Sequence, residues 1–536
     1  MTNYQFTGGT ICAPATIPGT GAISIIRVSG KESLAIADKV IDTKGVPIAE
    51  TEGYRLRYGT VFEADGSVLD NVIVSVFRAP HSYTGENSVE ISCHASRFIV
   101  NKILELLVNA GARIAAPGEF TRRAFVNGKM DLAQAEAVAD VIASQSAASH
   151  RVAMNQLKGG FSSELKVLRE KLLKMTSLLE LELDFSEEDV EFASRKELGQ
   201  LVDDSLTHIR RLTASFSRGN AIKNGVPVAI VGATNTGKST LLNALLGEER
   251  AIVSDIAGTT RDTIEETLNI DGILFRFIDT AGIRETDETI EKIGIDRTFK
   301  KLGEAAVVLG MTDLSRGEAA VLEDADFILS KVNEMGGVKN VGLAIDGAET
   351  GGTTPADTGV ASQHGHGDGQ ERKVVILVNK CDVADDFYRD DNGTGDDSGN
   401  DLGKNMAEIG DNKNVNHDNN IVSLIENKYD NCKVIPISAK TGKGLSTLTK
   451  TLGEIGSEIT GSTDETLVTN VRHYEALVRA ASALERVRAG LHIATLPPDL
   501  IAQDLREALY HLGEIVGEIS TDETLGNIFR NFCIGK

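Results

Sequence analysis

The sequence predicts an α/β multidomain protein: an N-terminal α+β domain, a helical domain discontinuous in the chain, and an inserted P-loop domain on a mostly parallel, doubly wound sheet. Three observations predict it. Residues 226–459 alternate short apolar runs with helical stretches, the pattern of strands buried on both faces of a parallel sheet. The first of those runs, VPVAIV, leads directly into GATNTGKST (232–240) and then LLNALLG, which is the strand, glycine loop and helix that a phosphate cradle needs. Apolar stripes at three- and four-residue steps flank this region on both sides, so one helical domain assembled from both flanks is the economical arrangement.

In chain order, residues 1–122 read as an α+β domain. AISIIRV (22–28), VIVSVF (72–77) and SVEISC (88–93) are strands by their β-branched content, and 96–110 has helical periodicity. Residues 123–218 form the first helical part, with Leu165, Leu168, Leu172, Met175, Leu179 and Leu183 as a core stripe rather than a cofactor box. The β/α domain spans 219–461, with strands VPVAIV, ILFRFI (273–278), AAVVLG (305–310), VVILV (374–378) and KVIPI (433–437). Within it, about 336–372 and 384–420 hold too few apolar residues to offset ordering entropy and are expected as mobile surface insertions. His364 and His366, in the first insertion, lack a third ligand and read as solvated. Residues 462–536 complete the helical domain, with Leu477, Ala481, Leu484, Val487 and Leu491 at helical spacing, and the chain ends in FCIGK.

Composition excludes several classes. At 536 residues the chain exceeds one core and suggests roughly three or four domains. No apolar run reaches the ~18 residues of a membrane span, and MTNYQFTGG lacks a basic region followed by a purely apolar core, so a cytoplasmic protein is expected. The five cysteines, Cys12, Cys93, Cys381, Cys432 and Cys533, form no CxxC pair and read as reduced thiols. A formal charge of −23 opposes nonspecific nucleic-acid binding by the whole chain, though not RNA held on a local basic patch or through a partner.

The glycine loop has a definite chemistry. Its backbone N–H groups and the following helix N-terminus favour oligophosphate. Lys238 would reach the outer phosphates and the Ser239 hydroxyl would hold Mg²⁺. DTAG, comprising Asp279, Thr280, Ala281 and Gly282, places a carboxylate beside Mg²⁺ and an amide near the γ-phosphate. TTRD begins with Thr259 and Thr260 and lies between the first helix and the strand ILFRFI, where a hydroxyl could complete the metal shell when triphosphate is bound. NKCD supplies Asn379, Lys380 and Asp382; a carboxylate there accepts two hydrogen bonds from the guanine edge, a pair that adenine cannot supply. SAK, comprising Ser438, Ala439 and Lys440, lines the base from the other side. Together these words in this order predict a GTPase. Its nucleotide contacts are Asn235, Thr236, Gly237, Lys238, Ser239 and Thr240, the stretch Ser254, Asp255, Ile256, Ala257, Gly258, Thr259 and Thr260, and the DTAG, NKCD and SAK residues. Ile283 follows DTAG where Ras-like enzymes place a water-orienting Gln, so Asn235 and SDIAGTT suggest a monovalent cation in the part of an arginine finger.

SYTGENSVEISCH, PGEFTRRAFVNGKMDLAQAEAVADVI, IGIDR and the terminal FCIGK, taken with the nucleotide words, make the chain resemble the MnmE (TrmE) family of tRNA-modification GTPases, over nearly its whole length except the two insertions. The resemblance implies an N-terminal tetrahydrofolate-binding and dimerising domain, a discontinuous helical domain and a P-loop GTPase domain that dimerises on GTP with K⁺. It implies a homodimer working with the FAD- and NADH-using partner MnmG (GidA), in a heterotetramer, to add an aminomethyl or carboxymethylaminomethyl group to wobble uridine C5 of tRNA. The one-carbon unit would come from 5-formyl- or 5,10-methylene-tetrahydrofolate. Carried over by motif, folate is held by Arg27, Glu90, Lys129 and Lys536. K⁺ falls to Asn235, Ser254, Ile256 and Thr259, and Mg²⁺ to Ser239 and Thr260. Glu291 organises water, with Arg284 in the same switch, so Glu291, Lys238 and Thr260 form the catalytic set. Cys533 is either a thiol for the modification chemistry or a small residue packing the tail. Three departures stand out: Thr234 where the family often has Pro, HAS (94–96) for HGG, and VVLGMTDLS where relatives show an aspartate-bearing VVDAS. The other reading of the nucleotide words alone is a ribosome-assembly or other regulatory GTPase switch, for which the N-terminal folate-type domain and FCIGK have no evident use.

Overall fold

The computed structural model describes residues 8–184, 195–249, 266–278, 305–334, 372–382, 422–429, 432–461, 465–493, 497–519, 522–530, 532 and 535. The chain divides into two compact units, one drawn from residues 1–144, 150–216 and 464–536 and the other from 145–149 and 217–463. Among the described residues no helix is long and apolar enough to cross a membrane.

The first unit opens on a seven-stranded sheet: β1 (Ile11–Pro14), β2 (Gly21–Ser29), β3 (Ile41–Asp42), β4 (Arg55–Phe62), β5 (Val68–Phe77), β6 (Ser88–Ala95) and β7 (Arg113–Ile114), in the order β3-β4-β5-β6-β2-β1-β7. Every pairing is antiparallel except β1 with β7. Period-2 patterning decides the faces: Val72, Val74 and Val76 are buried while Ile73 between them is exposed. Ile26, Val28, Val89, Ile91 and Cys93 join that core under the helix Arg97–Asn109, which contributes Ile103 and Leu107. The opposite face of β2 and β6 therefore carries Arg27 and Glu90, which lie directly across from each other in register.

The helical part of this unit begins at Leu132–Ala143, started by a capping box in which the Asp131 carboxylate accepts from the Gln134 amide and Gln134 reaches back. The long helix Gly160–Asp184 buries Leu165, Leu168, Leu172 and Leu179 at helical spacing. These pack in one core with Leu206 and Ile209 of Arg195–Ala214, Leu477, Leu484 and Val487 of Val471–Leu491, and Leu505 and Leu512 of Pro498–Val516. Residues before 216 and after 464 thus share one interior, although 217–463 separates them in sequence.

The second unit holds a six-stranded sheet of β8 (Val226–Gly232), β9 (Glu266–Ile270), β10 (Ile273–Ile278), β11 (Val307–Asp313), β12 (Lys373–Asn379) and β13 (Lys433–Pro436), in the order β13-β12-β11-β8-β10-β9. All neighbours run parallel except β9 and β10, a hairpin that turns on Asp271 and Gly272, both left-handed at φ 52° and 81°. Both faces are buried. Val228, Ile230, Leu309 and Leu377 pack with Leu241 and Leu245 of the helix Lys238–Glu249 and Leu448 of Leu445–Thr460. Val231, Val308, Ile376 and Val378 pack on the other side with Val321, Ile328 and Leu329 of Glu318–Glu334. That two-sided burial is why these strands read as continuous apolar runs. Nearly all of the two expected insertions, His364 and His366 included, lies outside the described residues.

Candidate functional site

In the second unit the chain leaves β8 for β10 on one side, while β11 lies on the other, so the topological switch point falls between β8 and β11. The glycine loop sits there. Asn235 takes φ 63° and Gly237 φ 97°, the left-handed turning characteristic of backbone anion cradles. Side chains cannot be added at either end of the loop: a Cβ on Gly232 would meet the Met311 carbonyl, and one on Gly237 the Asn379 amide. The Thr236 hydroxyl donates to the Ala233 carbonyl (2.9 Å). Lys238 Nζ donates to the carbonyls of Gly232 (3.1 Å) and Ala233 (2.8 Å), and burial pulls its pKa below the usual ammonium value. Ser239 is half-buried and Thr240 exposed at the start of the same helix.

Asn379 joins this loop to the base-side words. Only 3% exposed at the end of β12, it donates through Nδ2 to the Thr236 carbonyl (2.7 Å) and accepts at Oδ1 from the Ala439 amide (3.0 Å). Buried amides are worth most when both ends are used, and this one ties two loops together. Ser438 is buried; its amide donates to the Lys443 carbonyl (2.9 Å) and its hydroxyl accepts from the Thr441 amide (3.2 Å), which fixes the 438–443 turn. Lys440 is exposed, and Asp382 is half-buried just past β12.

Lys380 shows a partner that the sequence reading did not select. Its Nζ donates to Asp313 Oδ2 (2.6 Å), and Asp313 stands directly across from Asn379 in the β11–β12 register. Burial pushes the Asp313 carboxyl up, but Lys380 and the Ser315 hydroxyl and amide outweigh it and hold it below the usual carboxylate range. In VVLGMTDLS, read as a departure, the carboxylate sits at the strand end, three residues beyond the predicted run. A strand-terminal Asp next to an NKxD strand is the signal that would have found it.

In the first unit Arg27 and Glu90 pair closely, through Nε (3.0 Å) and Nη2 (2.8 Å) to Oε1. The Arg27 guanidinium lies over the rings of Tyr83 (5.1 Å) and Phe120 (5.7 Å), and its Nη1 donates to the Gly535 carbonyl (3.5 Å). Lys129 is exposed, with Nζ donating to the Pro80 carbonyl (3.1 Å). Arg27, Glu90 and the tail at Gly535 are brought together; the Lys129 head group is held by Pro80 instead of by that pair.

Beneath them, Arg123, only 2% exposed, donates to both Glu86 oxygens (3.1 and 3.0 Å), Glu119 Oε1 (3.0 Å) and the Gly9 carbonyl (2.7 Å). Ser29 bonds Glu86 and Thr84 (2.8 and 2.7 Å). Burial pushes the Glu119 carboxyl up, yet Arg113, the Ala116 amide and Arg123 hold it below its ordinary range. SYTGENS and PGEFTRR, distant in sequence, are therefore two halves of one ion network. Sequence reasoning quoted these words but did not name Tyr83, Glu86 or Arg123.

Ser254, Asp255, Ile256, Ala257, Gly258, Thr259 and Thr260 lie outside the described residues, as do Asp279, Thr280, Ala281, Gly282, Ile283, Arg284, Glu291, Cys533 and Lys536.

Two family models match the chain: the MnmE helical domain over residues 132–533 and the GTP-binding protein TrmE N-terminus over residues 10–129. Three curated relatives are called tRNA modification GTPase MnmE. That of Parabacteroides distasonis is 46% identical over 530 residues, covering 98% of this chain and 100% of its own length. Those of Bacteroides thetaiotaomicron and Flavobacterium johnsoniae are each 45% identical, covering 98% of this chain and 99% of their own.

Proposed function

The chain belongs to the MnmE family of tRNA modification GTPases, and on that premise we propose that it is the K⁺-dependent GTP-hydrolysing component of a complex that modifies tRNA wobble uridine. The observation that carries the nucleotide half is the Asn379 amide, which ties Thr236 of the phosphate loop to Ala439 of the base loop at the switch point of the sheet. Asp382 then reads the guanine edge while Ser438, Ala439 and Lys440 line the base. The concavity made by Asn235 and Gly237 fits an anion, and Lys238, already drawn into the loop, counters its charge.

Ser239 and Thr260 would hold Mg²⁺, with Asp279 as the carboxylate of that set, and the ion would supply charge neutralisation for the outer phosphates. Asn235, with Ser254, Ile256 and Thr259, would hold K⁺, which would supply the positive charge that an arginine finger brings elsewhere. Glu291 orients the attacking water, and Lys238 and Thr260 complete the catalytic set. The remaining residues of 235–240, 254–260 and 279–282 are assigned to the GTP contacts.

The Arg27–Glu90 pair fits a reduced folate, since a pterin edge is read by a carboxylate and a glutamyl tail by cations. Glu90 takes the first part, Arg27, Lys129 and Lys536 the second, and the rings of Tyr83 and Phe120 keep Arg27 aimed. A 5-formyl- or 5,10-methylene-tetrahydrofolate held there would supply the one-carbon unit that becomes the methylene on uridine C5, with the nitrogen of the aminomethyl or carboxymethylaminomethyl group coming from an amine co-substrate and the redox equivalents from the FAD- and NADH-using partner. Cys533, in the terminal word, is assigned to the same site. A cytoplasmic homodimer with the FAD-dependent MnmG (GidA) partner, as a heterotetramer on tRNA, completes the proposal.

The cation requirement is tested by GTP hydrolysis in KCl and NaCl at equal ionic strength. The proposal expects at least about tenfold faster turnover in K⁺, the scale of one well-placed charge at the transition state. Equal rates in the two salts would remove K⁺ from the mechanism.

A further inference from the structure

We infer that Asp313 is a positioning residue for guanine-nucleotide binding: it anchors the Lys380 ammonium so that the lysine stem lies as a fixed apolar platform beside the base. The inference rests on the reading of 379–382 as the base-binding word and goes beyond it by naming what holds Lys380 in place.

Three observations carry it. Lys380 has φ 66°, a conformation that a side chain with a Cβ adopts only when its surroundings impose it. The surroundings are visible on both sides: the Asn379 amide is spent on Thr236 and Ala439, and the Cys381 amide donates to the Ile437 carbonyl (3.3 Å). The Lys380 head group is then fixed at 2.6 Å by Asp313 Oδ2, whose side chain is 7% exposed. Asp313 cannot swing away, because Oδ1 accepts from both the Ser315 amide (3.0 Å) and hydroxyl (2.6 Å). With its charge engaged, Lys380 remains 34% exposed, so part of the stem stays open to a planar ring. A free lysine would surrender rotamer entropy on each binding event; here that ordering is already present in the fold.

The test is a double-mutant cycle on the full chain, read as the dissociation constant of a fluorescent GDP analogue. Asp313→Asn keeps an oxygen for Ser315 and removes the charge from Lys380; it is expected to weaken binding about tenfold, the usual scale for a lost charge-assisted hydrogen bond. In a Lys380→Met background the same substitution is expected to change nothing, since Asp313 then has no head group to hold. If Asp313→Asn unfolds the protein, Asp313→Glu replaces it, retaining charge but displaced by one methylene, with a smaller loss that again vanishes in Lys380→Met. An equal loss in both backgrounds, or none in the wild type, overturns the inference. Asp382→Asn is the separate control. A switch of preference to xanthosine diphosphate shows that guanine is read at this word, so that absent coupling sinks the Asp313 inference alone; without that switch the base-binding reading falls, and this inference with it.

Discussion

At the residue scale, single contacts decide where the terminal tail lies. Gly535 has φ 99°, and a Cβ there would strike the Pro14 carbonyl, so the backbone can approach β1 only because the side chain is absent. Its carbonyl accepts from Arg27 as a result. Gly535→Ala should lift the tail from Arg27 and weaken 5-formyl-tetrahydrofolate binding at least about tenfold by calorimetry, since both the φ and the space are lost. GTP binding, in the other unit, should be unchanged. The loop positions of Asn379, Asp382 and Lys238 were legible in the sequence because each belongs to a spaced word whose strand-and-turn context is local. Asp313, Tyr83, Glu86 and Arg123 were not, because their roles come from cross-strand register and from partners up to 114 residues away, as between Arg123 and Gly9.

At the element scale, a buried ionic clamp joins three helices of the helical domain. Arg472, at the start of Val471–Leu491, donates to both Glu136 oxygens (2.9 and 3.1 Å) and to the carbonyls of Glu514 and Ile515 (2.7 and 3.0 Å), tying three helices together. His473 Nε2 lies 2.7 Å from the same carboxylate. Burial pushes Glu136 up, but His473 and Arg472 outweigh it and bring the carboxyl down to about 2. A folded-state value below the unfolded one, about 4.3, lends stability that is complete above roughly pH 5 and is lost as pH falls toward 2, on the order of 3 kcal/mol in all. Urea unfolding should therefore show a steeper acid loss in wild type than in Glu136→Gln. Identical pH slopes would mean that the clamp does not hold in solution. The helices around it were legible, since a 3.6-residue stripe is a one-sided burial pattern that survives in sequence. Strands β4 and β9 were not, because RLRYGTVF and ETLNI bury few side chains and owe their place to neighbours and to the Asp271–Gly272 turn.

At the scale of the whole molecule, one core is made from two distant stretches of chain, and their ends are already adjacent. The Val468 amide donates to the Ser215 hydroxyl (3.1 Å), and Gln156 Nε2 donates to the Leu467 carbonyl (3.2 Å) and the Thr469 hydroxyl (3.0 Å). Replacing residues 218–462 by a short Gly/Ser linker should leave a helical unit that melts cooperatively and still binds folate. Truncation before 465 should instead collapse the helices at 160–214, because it strips half of their core. Circular dichroism of the two shortened chains separates the outcomes. The proposed function assigns GTP hydrolysis to the unit that carries the glycine loop and folate binding to the unit that carries Arg27 and Glu90. It is tested most directly by mass spectrometry of wobble nucleosides in tRNA from cells lacking this chain. Unmodified uridine, restored by the wild type but neither by Lys238→Ala nor by Arg27→Ala, is the predicted result. A normal wobble profile without the chain would contradict the account.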